Sequence, residues 1–533
     1  MNQQAQEYLT SYLAYLQANN TQEKALLPWL TQVFEETSWD DPESGNDWNN
    51  VGVMALVEAE HTAETNLQSA FLEMAANAFD NGGQDYLLSK VHLALVQSLL
   101  GNDQTTLESL FTSFLMALEP INKDCLIPSR GLIYFPFFWN YRFVESRRQK
   151  FELLLQEKNG NTQAMLLSNE LLWRSQLAFY NPLSLRFLNL ATQVFPQSVE
   201  LYLKSGISYI MNQQWEGIFY LNEASNISPQ NLAVLQALYL AYLDLGKPDI
   251  AQGIARQASQ SLNNSLEKQW SNLACKQEED FTYTLFENDT VLAVEASLKS
   301  IVTGVLIAEG DWFEKEMAWW RAWIKPGMTV IDIGANVGVY TFSAAKRVGS
   351  QGKVIAVEPF SKCVKYLHKT AQRNKFHWVT IYEGAASDRD GKTYLSIQGA
   401  SELNEVIDEN KVSEDILAHA QQVNCYKLDS ICSTENIQRL DCLKIDAEGH
   451  EMQVLIGSQD ILRKFLPVVL YENIAGAGES NIDVISYLES FGYSIYRYQA
   501  FLQDLVLVES KHDYENSLNL IALPKTKIDA FVN

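Results

Sequence analysis

The sequence predicts an α/β domain with a doubly wound, mainly parallel sheet, preceded by an all-helical region. Two observations carry the α/β half: short apolar strands alternate with helical segments after residue 280, and one of them runs into a glycine-containing turn at 329–338. A third carries the helical half: apolar residues recur at three- and four-residue spacing through most of the first 270 positions.

The helices come first in the chain. Leu9, Tyr12, Leu13 and Leu16 share a spacing that places them on one helix face, as do Leu87, Val91, Leu95, Leu99 and Leu100. Thr37-Ser-Trp-Asp-Asp-Pro-Glu-Ser-Gly-Asn-Asp47 interrupts this pattern with turn formers and acids and is expected as a surface loop. The aromatic run Tyr134-Phe-Pro-Phe-Phe-Trp139, with Tyr141 and Phe143, reads as core. Ala191, Ala224 and Ala258 lie 33 and 34 residues apart, Pro196 and Pro229 keep the same interval, and Gly246 sits where two helices should turn. The segment from about Met165 to Gln260 therefore resembles degenerate tetratricopeptide repeats, a short solenoid that is either a helical spacer or a groove for a peptide, protein or carrier-bound substrate. The expected divisions are 1–160 all-helical, 161–275 helical repeats and 280–533 α/β.

Past Glu278 the pattern changes to strands. Phe281–Phe286 and Thr290–Val294 flank Glu287-Asn-Asp, a hairpin signal. Val330–Ile333, Val354–Glu358, Val379–Glu383, Cys442–Asp446 and Pro467–Glu472 follow with helical segments between them, and Tyr493–Tyr498 with Leu518–Leu523 is expected to close the sheet as an edge hairpin. The charged stretch from Gly399 to Gln422 is expected as a lid or a surface helix.

The most specific local signal is Thr329-Val-Ile-Asp-Ile-Gly-Ala-Asn-Val-Gly338, followed by a helix whose free N–H groups face the loop. Gly334 and Gly338 leave room for close approach to the backbone. A dinucleotide site needs a glycine where this chain has Asn336, because its backbone must approach a pyrophosphate. Asp332 and Asn336 instead suit the ammonium and carboxylate of an amino-acid moiety, which favours S-adenosylmethionine over NAD. Glu358, at the end of the next strand and 20 positions after Gly338, is placed to accept both ribose hydroxyls.

Composition narrows the partners. Forty basic against 65 acidic residues give 533 positions a net charge of −25, and the densest basic cluster, Arg147-Arg148-Gln149-Lys150, reads as a solvated helix face. Nucleic-acid and membrane-surface roles are disfavoured, since either needs a basic patch to offset that field. Cys125, Cys275, Cys363, Cys425, Cys432 and Cys442 show neither metal-ligand nor disulfide spacing, so reduced thiols and no metal are expected. A polar N-terminus and the lack of a long apolar run point to the cytoplasm.

Ligands of doubly wound sheets bind outside the carboxyl ends of the strands, and these ends carry Asp332, Glu358, Ser387 with Asp388, Asp446, and Glu472 with Asn473. Asp332-Ile-Gly-Ala-Asn-Val-Gly338, Glu358-Pro359, Leu428-Asp429, Lys444-Ile-Asp-Ala-Glu-Gly449 with Glu451, and Leu470-Tyr-Glu472 together resemble the ordered signature of FkbM-type S-adenosylmethionine-dependent methyltransferases, over roughly residues 280–530. The resemblance implies a seven-stranded Rossmann-like methyltransferase sheet with its final strand antiparallel. It also implies cofactor contacts from Asp332, Gly334, Asn336, Gly338 and Glu358, adenine contacts near Ala386, Ser387 and Asp388, and an acid before the first strand at the position of Glu314.

Methyl transfer is an in-line displacement, so catalysis is expected to come from positioning, and a hydroxyl or amide acceptor also needs its proton removed. Asp446 is the first candidate base, with Glu448 and Glu472 near it; three carboxylates at close quarters raise one another's pKa, so Glu448 either joins them or caps the next helix, and Glu472 either joins them or orients the acceptor. His450 is either a base or a solvent-facing first-turn residue, and Lys444 a partly buried structural lysine. The expected acceptor is a small molecule, glycan or peptide: O-methylation of a sugar or natural-product hydroxyl, N-methylation of a docked peptide or protein, or, in a different class, a scaffold that does no chemistry.

Overall fold

Alternation along each strand decides how the C-terminal half packs. In the computed structural model Val330, Val354, Cys442, Val468 and Ile521 point to one face of a central sheet, where they meet Leu292, Trp320, Phe342 and Leu367. Their neighbours Ile331, Ile333, Ile355, Leu443, Val469 and Leu520 point to the other, against Leu428, Ile431, Val454, Leu462 and Leu488. Strands apolar on both faces require helices on both faces, which is the doubly wound arrangement. The structure describes residues 3–19, 21, 25–62, 64–100, 103–118, 129–136, 144–174, 182–260, 266–276, 280–397, 405–407, 420–475, 479–508 and 517–530. It divides into two units, Met1–Pro229 and Gln230–Asn533.

The first unit is helical. Its helix Gln3–Ala18 buries Leu9, Tyr12, Tyr15 and Leu16. The acidic segment expected as a loop ends in a capping box, in which Ser44 accepts from the backbone N–H of Asp47 and Asp47 reciprocates, starting helix Gly45–His61.

The interior of this unit holds an extended segment. Leu132, Ile133, Tyr134 and Phe135 are fully buried, which accounts for the described part of the aromatic run; residues 137–143 lie outside the described residues. Among the described residues no strand pairs with it, and its backbone is hydrogen-bonded by side chains. Tyr12 Oη donates to the Ile133 carbonyl at 2.8 Å, and Tyr15 Oη donates to that of Phe135 at 2.9 Å. Asn50 Oδ1 accepts from Leu132 N, His92 Nε2 from Tyr134 N, and Gln163 Oε1 from Gly131 N. Every such bond removes the cost of an unsatisfied buried amide.

The basic cluster departs from expectation. Arg147 donates to the Pro136 carbonyl, and Lys150 is turned inward, paired with Glu170 and, at 2.6 Å, with Glu200. The buried Glu170 and the partly exposed Glu200, on neighbouring helices, draw it in, so it is not a solvated face.

The second unit begins with helices Leu232–Asp244 and Pro248–Ser259, joined at Gly246, whose φ of +66° only glycine adopts at little cost. Gln236 ties the first of them to the hairpin by donating to Thr282 Oγ1 and the Tyr283 carbonyl. The hairpin pairs β1 (Phe281–Phe286) with β2 (Thr290–Glu295) as expected, turning through Glu287 and Asn288, both at positive φ.

The central sheet contains β3 (Thr329–Ile333), β4 (Lys353–Glu358), β5 (Val379–Glu383), β10 (Cys442–Ile445), β11 (Val468–Glu472), β14 (Tyr493–Gln499), β15 (Asp504–Leu507) and β16 (Asn519–Pro524) in the order β15-β14-β16-β11-β10-β3-β4-β5. The run from β5 to β11 is parallel, and β16 is antiparallel to both its neighbours. Seven of these strands are the expected ones. The edge differs: Tyr493–Gln499 and Asn519–Pro524 do pair, but β16 inserts beside β11 and the added strand β15 takes the edge. All of β16 is buried, which an edge position would not permit.

A smaller sheet follows β5: β6 (Ala385–Ala386), β7 (Gly391–Ser396), β8 (Glu405–Ile407) and β9 (Ala420–Tyr426) in the order β6-β9-β7-β8. The stretch expected as a lid or surface helix is thus strand where it is described; 398–404 and 408–419 lie outside the described residues. Among the described residues no helix is long and apolar enough to cross a membrane, and Cys275, Cys363, Cys425, Cys432 and Cys442 are free thiols.

Candidate active site at the carboxyl edge of the sheet

The chain leaves β3 towards β4 on one side and leaves the neighbouring strand β10 towards β11 on the other, so the loops after β3 and β10 part at the middle of the sheet. Register places Asp332 beside Lys444 and Ile333 beside Ile445. The loop after β3 is shaped by close backbone contact. A Cβ on Gly334, at φ +68°, would lie 1.7 Å from the Asp446 carbonyl oxygen, and one on Gly338, at φ +93°, would meet Phe342 and Leu367. Both glycines are therefore demanded by the protein's own packing, whereas the sequence suggested room for a ligand. Asn336 tops the loop at φ +49°, and its Oδ1 accepts from the Cys363 thiol at 3.4 Å.

Two carboxylates end the neighbouring strands. Glu358 accepts from the backbone N–H of Asn336 at 2.8 Å through Oε2 and from that of Phe360 at 2.7 Å through Oε1. Burial pushes its pKa up to about 7, against the pull of those two N–H groups. Asp332 is fully buried; its Oδ2 accepts from Thr341 Oγ1 at 2.5 Å, while Oδ1 has no hydrogen-bond donor and lies 3.8 Å from Lys444 Nζ. Burial raises its pKa too, with Lys444 opposing.

Lys444 was underrated by the sequence reading. It is 4% exposed, donates to Asp446 Oδ2 at 2.9 Å and lies over the Tyr340 ring at 4.7 Å. Burial alone would neutralise it, but Asp446, Asp332 and Glu314 together raise its pKa above the ordinary value. Glu314 accepts from Tyr340 Oη at 2.6 Å and from Asn519 Nδ2 at 3.4 Å. Behind it Glu316, which the sequence reading passed over, is 2% exposed, with Oε1 unpartnered and its pKa raised by burial to about 7.

Three of the four catalytic candidates converge: Asp446, Glu448 and Glu472 each offer a carboxylate oxygen within 4.8 Å of the others. Glu472 ends β11, is 9% exposed and has Oε2 unpartnered. Burial first, then Asp446, Glu448 and Glu451, push its pKa well up. Glu448 adopts φ +49°. The turn it sits in is closed by Glu451, which accepts from Ala447 N and Gly449 N and whose Oε2 accepts from Asn481. Helix Glu451–Ile456 has no side-chain cap, so Glu448 does not take the capping role considered for it. Asp429 likewise serves the fold, accepting from Asp460 N and Ile461 N at the start of helix Gln459–Phe465.

His450 belongs to another neighbourhood. Its Nε2 is 3.0 Å from Ser387 Oγ, which donates to Asp388 Oδ1 at 3.1 Å. It is half-buried there, so the solvent-facing alternative does not hold. The structure thus brings His450, Ser387 and Asp388 together beyond β6.

Comparison with known proteins finds partial matches. Residues 332–495 match the methyltransferase FkbM domain model. The chain is 27% identical over 198 residues to the AMB antimetabolite synthetase AmbE of Pseudomonas aeruginosa, which covers 31% of this chain and 9% of that protein. It is 23% identical over 181 residues to Methyltransferase 1 of Beauveria bassiana, covering 31% of this chain and 72% of that one. The chain thus spans less than a tenth of the first relative's length. Among solved structures it is similar to the methyltransferase FkbM of Methylobacillus flagellatus, at 14% identity and a TM-score of 0.25, over 43% of this chain and 54% of that one.

Proposed function

From the FkbM-type methyltransferase domain that residues 332–495 form, we propose that this protein transfers a methyl group from S-adenosylmethionine to a hydroxyl of a sugar or a hydroxylated natural product. The cofactor fits the residues on two grounds. Asp332 Oδ1 is a buried acceptor without a donor, and the edge as a whole carries more acid than the Lys444 ammonium offsets, which favours a ligand bearing a sulfonium and an ammonium. Asp332, Gly334, Asn336 and Gly338 would hold its amino-acid end, Glu358 its ribose, and Ala386, Ser387 and Asp388 its adenine. When bound, the cofactor supplies an electrophilic methyl group.

The observation that carries the hydroxyl reading is the group of three convergent carboxylates, Asp446, Glu448 and Glu472. Carboxyl groups offer more acceptor oxygens than donors. A polyhydroxylated acceptor presents donors to all of them, whereas a peptide would bring as many carbonyl acceptors as N–H donors. Asp446, held by Lys444, is the base that takes the hydroxyl proton as the new O–C bond forms, and Glu472 orients the acceptor.

Two measurements test the reading. Calorimetry should give a single S-adenosylmethionine site, weakened at least about tenfold by Asp332→Asn or Glu358→Gln, since each loses a charge-assisted hydrogen bond; no binding by the wild type would reject it. In a labelled-methyl assay on a hydroxylated panel, Asp446→Asn should lower turnover by about a hundredfold or more at unchanged cofactor affinity. Transfer to peptide amides but not to hydroxyls would overturn the choice of acceptor.

A further inference from the structure

We propose that Asp446, Glu448 and Glu472 hold one divalent cation of the hard, oxygen-seeking class, Mg2+ or Mn2+, at the acceptor side of the domain. This deepens the methyl-transfer reading and rests on it for its role, but the binding itself does not depend on cofactor or acceptor. The three offered oxygens lie within 4.8 Å of one another, close enough to share an ion. Asp446 and Glu448 follow β10 and Glu472 ends β11, the parallel strand beside it.

The second observation is the state of Glu472. Its side chain is 9% exposed, and among the described residues its buried Oε2 has no hydrogen-bond donor. A buried carboxyl without a donor either keeps its proton or is met by a cation, and a bound cation displaces that proton. Lys444 does not serve, because its ammonium is engaged by Asp446 at 2.9 Å and Asp332 at 3.8 Å. Glu448 is held at φ +49°, a conformation costly for a residue with a Cβ, in a turn that Glu451 fastens through Ala447 and Gly449. The fold thus bears a backbone cost at one of the residues facing this point.

Ligand chemistry selects the ion. An all-carboxylate set with neither imidazole nor thiolate disfavours zinc and copper and suits Mg2+ or Mn2+. Three protein ligands leave coordination positions for water or for two neighbouring hydroxyls of the acceptor. A hydroxyl so bound loses its proton more readily.

The test uses the full chain with Mn2+ alone, followed by paramagnetic resonance of the free ion. One Mn2+ should bind per chain with a dissociation constant at or below about 100 µM, within the range of carboxylate sites, and Mg2+ should compete for it. Glu472→Gln and, separately, the turn variant Glu448→Gln should each weaken Mn2+ at least about tenfold. Glu358→Gln should leave Mn2+ affinity within about twofold while weakening S-adenosylmethionine, because it lies outside the trio. Thermal melts of each variant identify any that fails to fold. No Mn2+ bound by the wild type at about 1 mM, or binding unchanged by both trio variants, would overturn the proposal. Mn2+ binding without S-adenosylmethionine binding would instead reject the cofactor reading and leave the metal site standing.

Discussion

Each unit buries a cluster of charge, and the two clusters are composed differently. In the helical unit Lys150 and Lys204 meet Glu170 and Glu200: Lys204, 1% exposed, lies 2.9 Å from Glu200 and 3.6 Å from Glu170. Burial tends to raise the pKa of Glu170, but Lys150 and Lys204 outweigh it and hold the carboxyl below its usual range. At the sheet edge Lys444 faces Asp332 and Asp446 while Glu314, Glu316, Glu358 and Glu472 all have raised pKa values, burial being the first cause in each. One cluster is balanced by the fold that made it, and the other keeps an excess of acid. Balanced buried charge is a structural device, whereas unbalanced buried charge is tolerated where a ligand completes it.

The comparison breaks most visibly at Glu170. Glu170→Gln should destabilise the helical unit by about 3 kcal/mol, because it leaves Lys150 and Lys204 short of a counter-charge in the interior. Denaturant unfolding should register this with S-adenosylmethionine affinity unchanged. Unaltered stability would mean that the cluster is not a structural pair.

A smaller effect is expected in the pH dependence of the sheet unit. Glu358 and Glu316 are raised from 4.5 to about 7. Between these values the folded chain keeps protons that the unfolded chain releases. Their contribution to stability is therefore present below pH 4.5 and lost as pH rises to 7, at up to about 1.4 kcal/mol per pH unit for each group. Glu358→Gln should flatten the dependence in melts of the ligand-free protein; an unchanged slope would show that Glu358 is ordinarily ionised.

The smallest effect is expected at His450. His450→Ala removes a hydrogen-bond partner of Ser387 and should cost about 1 kcal/mol of cofactor affinity, with turnover at saturation little changed. A large loss of turnover would move His450 back among the bases.

How much of this was readable in the chain depended on locality. The loop from Asp332 to Gly338 and the acid at Glu358 lie within one strand-turn-helix-strand segment, so types and spacing sufficed. Lys444 was underrated because its partner Asp332 lies 112 residues away and meets it only through strand register. The small sheet escaped notice because its strands are short and partly polar, and β6 pairs with β9 across a long connection. Residues 131–136 gave an apolar signal but no hint that side chains would replace a partner strand.

That buried segment also has a consequence for biosynthesis. Its hydrogen bonds come from Tyr12, Tyr15, Asn50, His92 and Gln163. The last of these leaves the ribosome some thirty residues after Gly131, so Leu132-Ile-Tyr-Phe135 emerges before its lock is complete. Until helix Gly160–Arg174 arrives the Gly131 amide lacks its acceptor, whereas the acceptors for residues 132–135 all precede them in the chain. Gln163 is thus the last of the segment's acceptors to be synthesised.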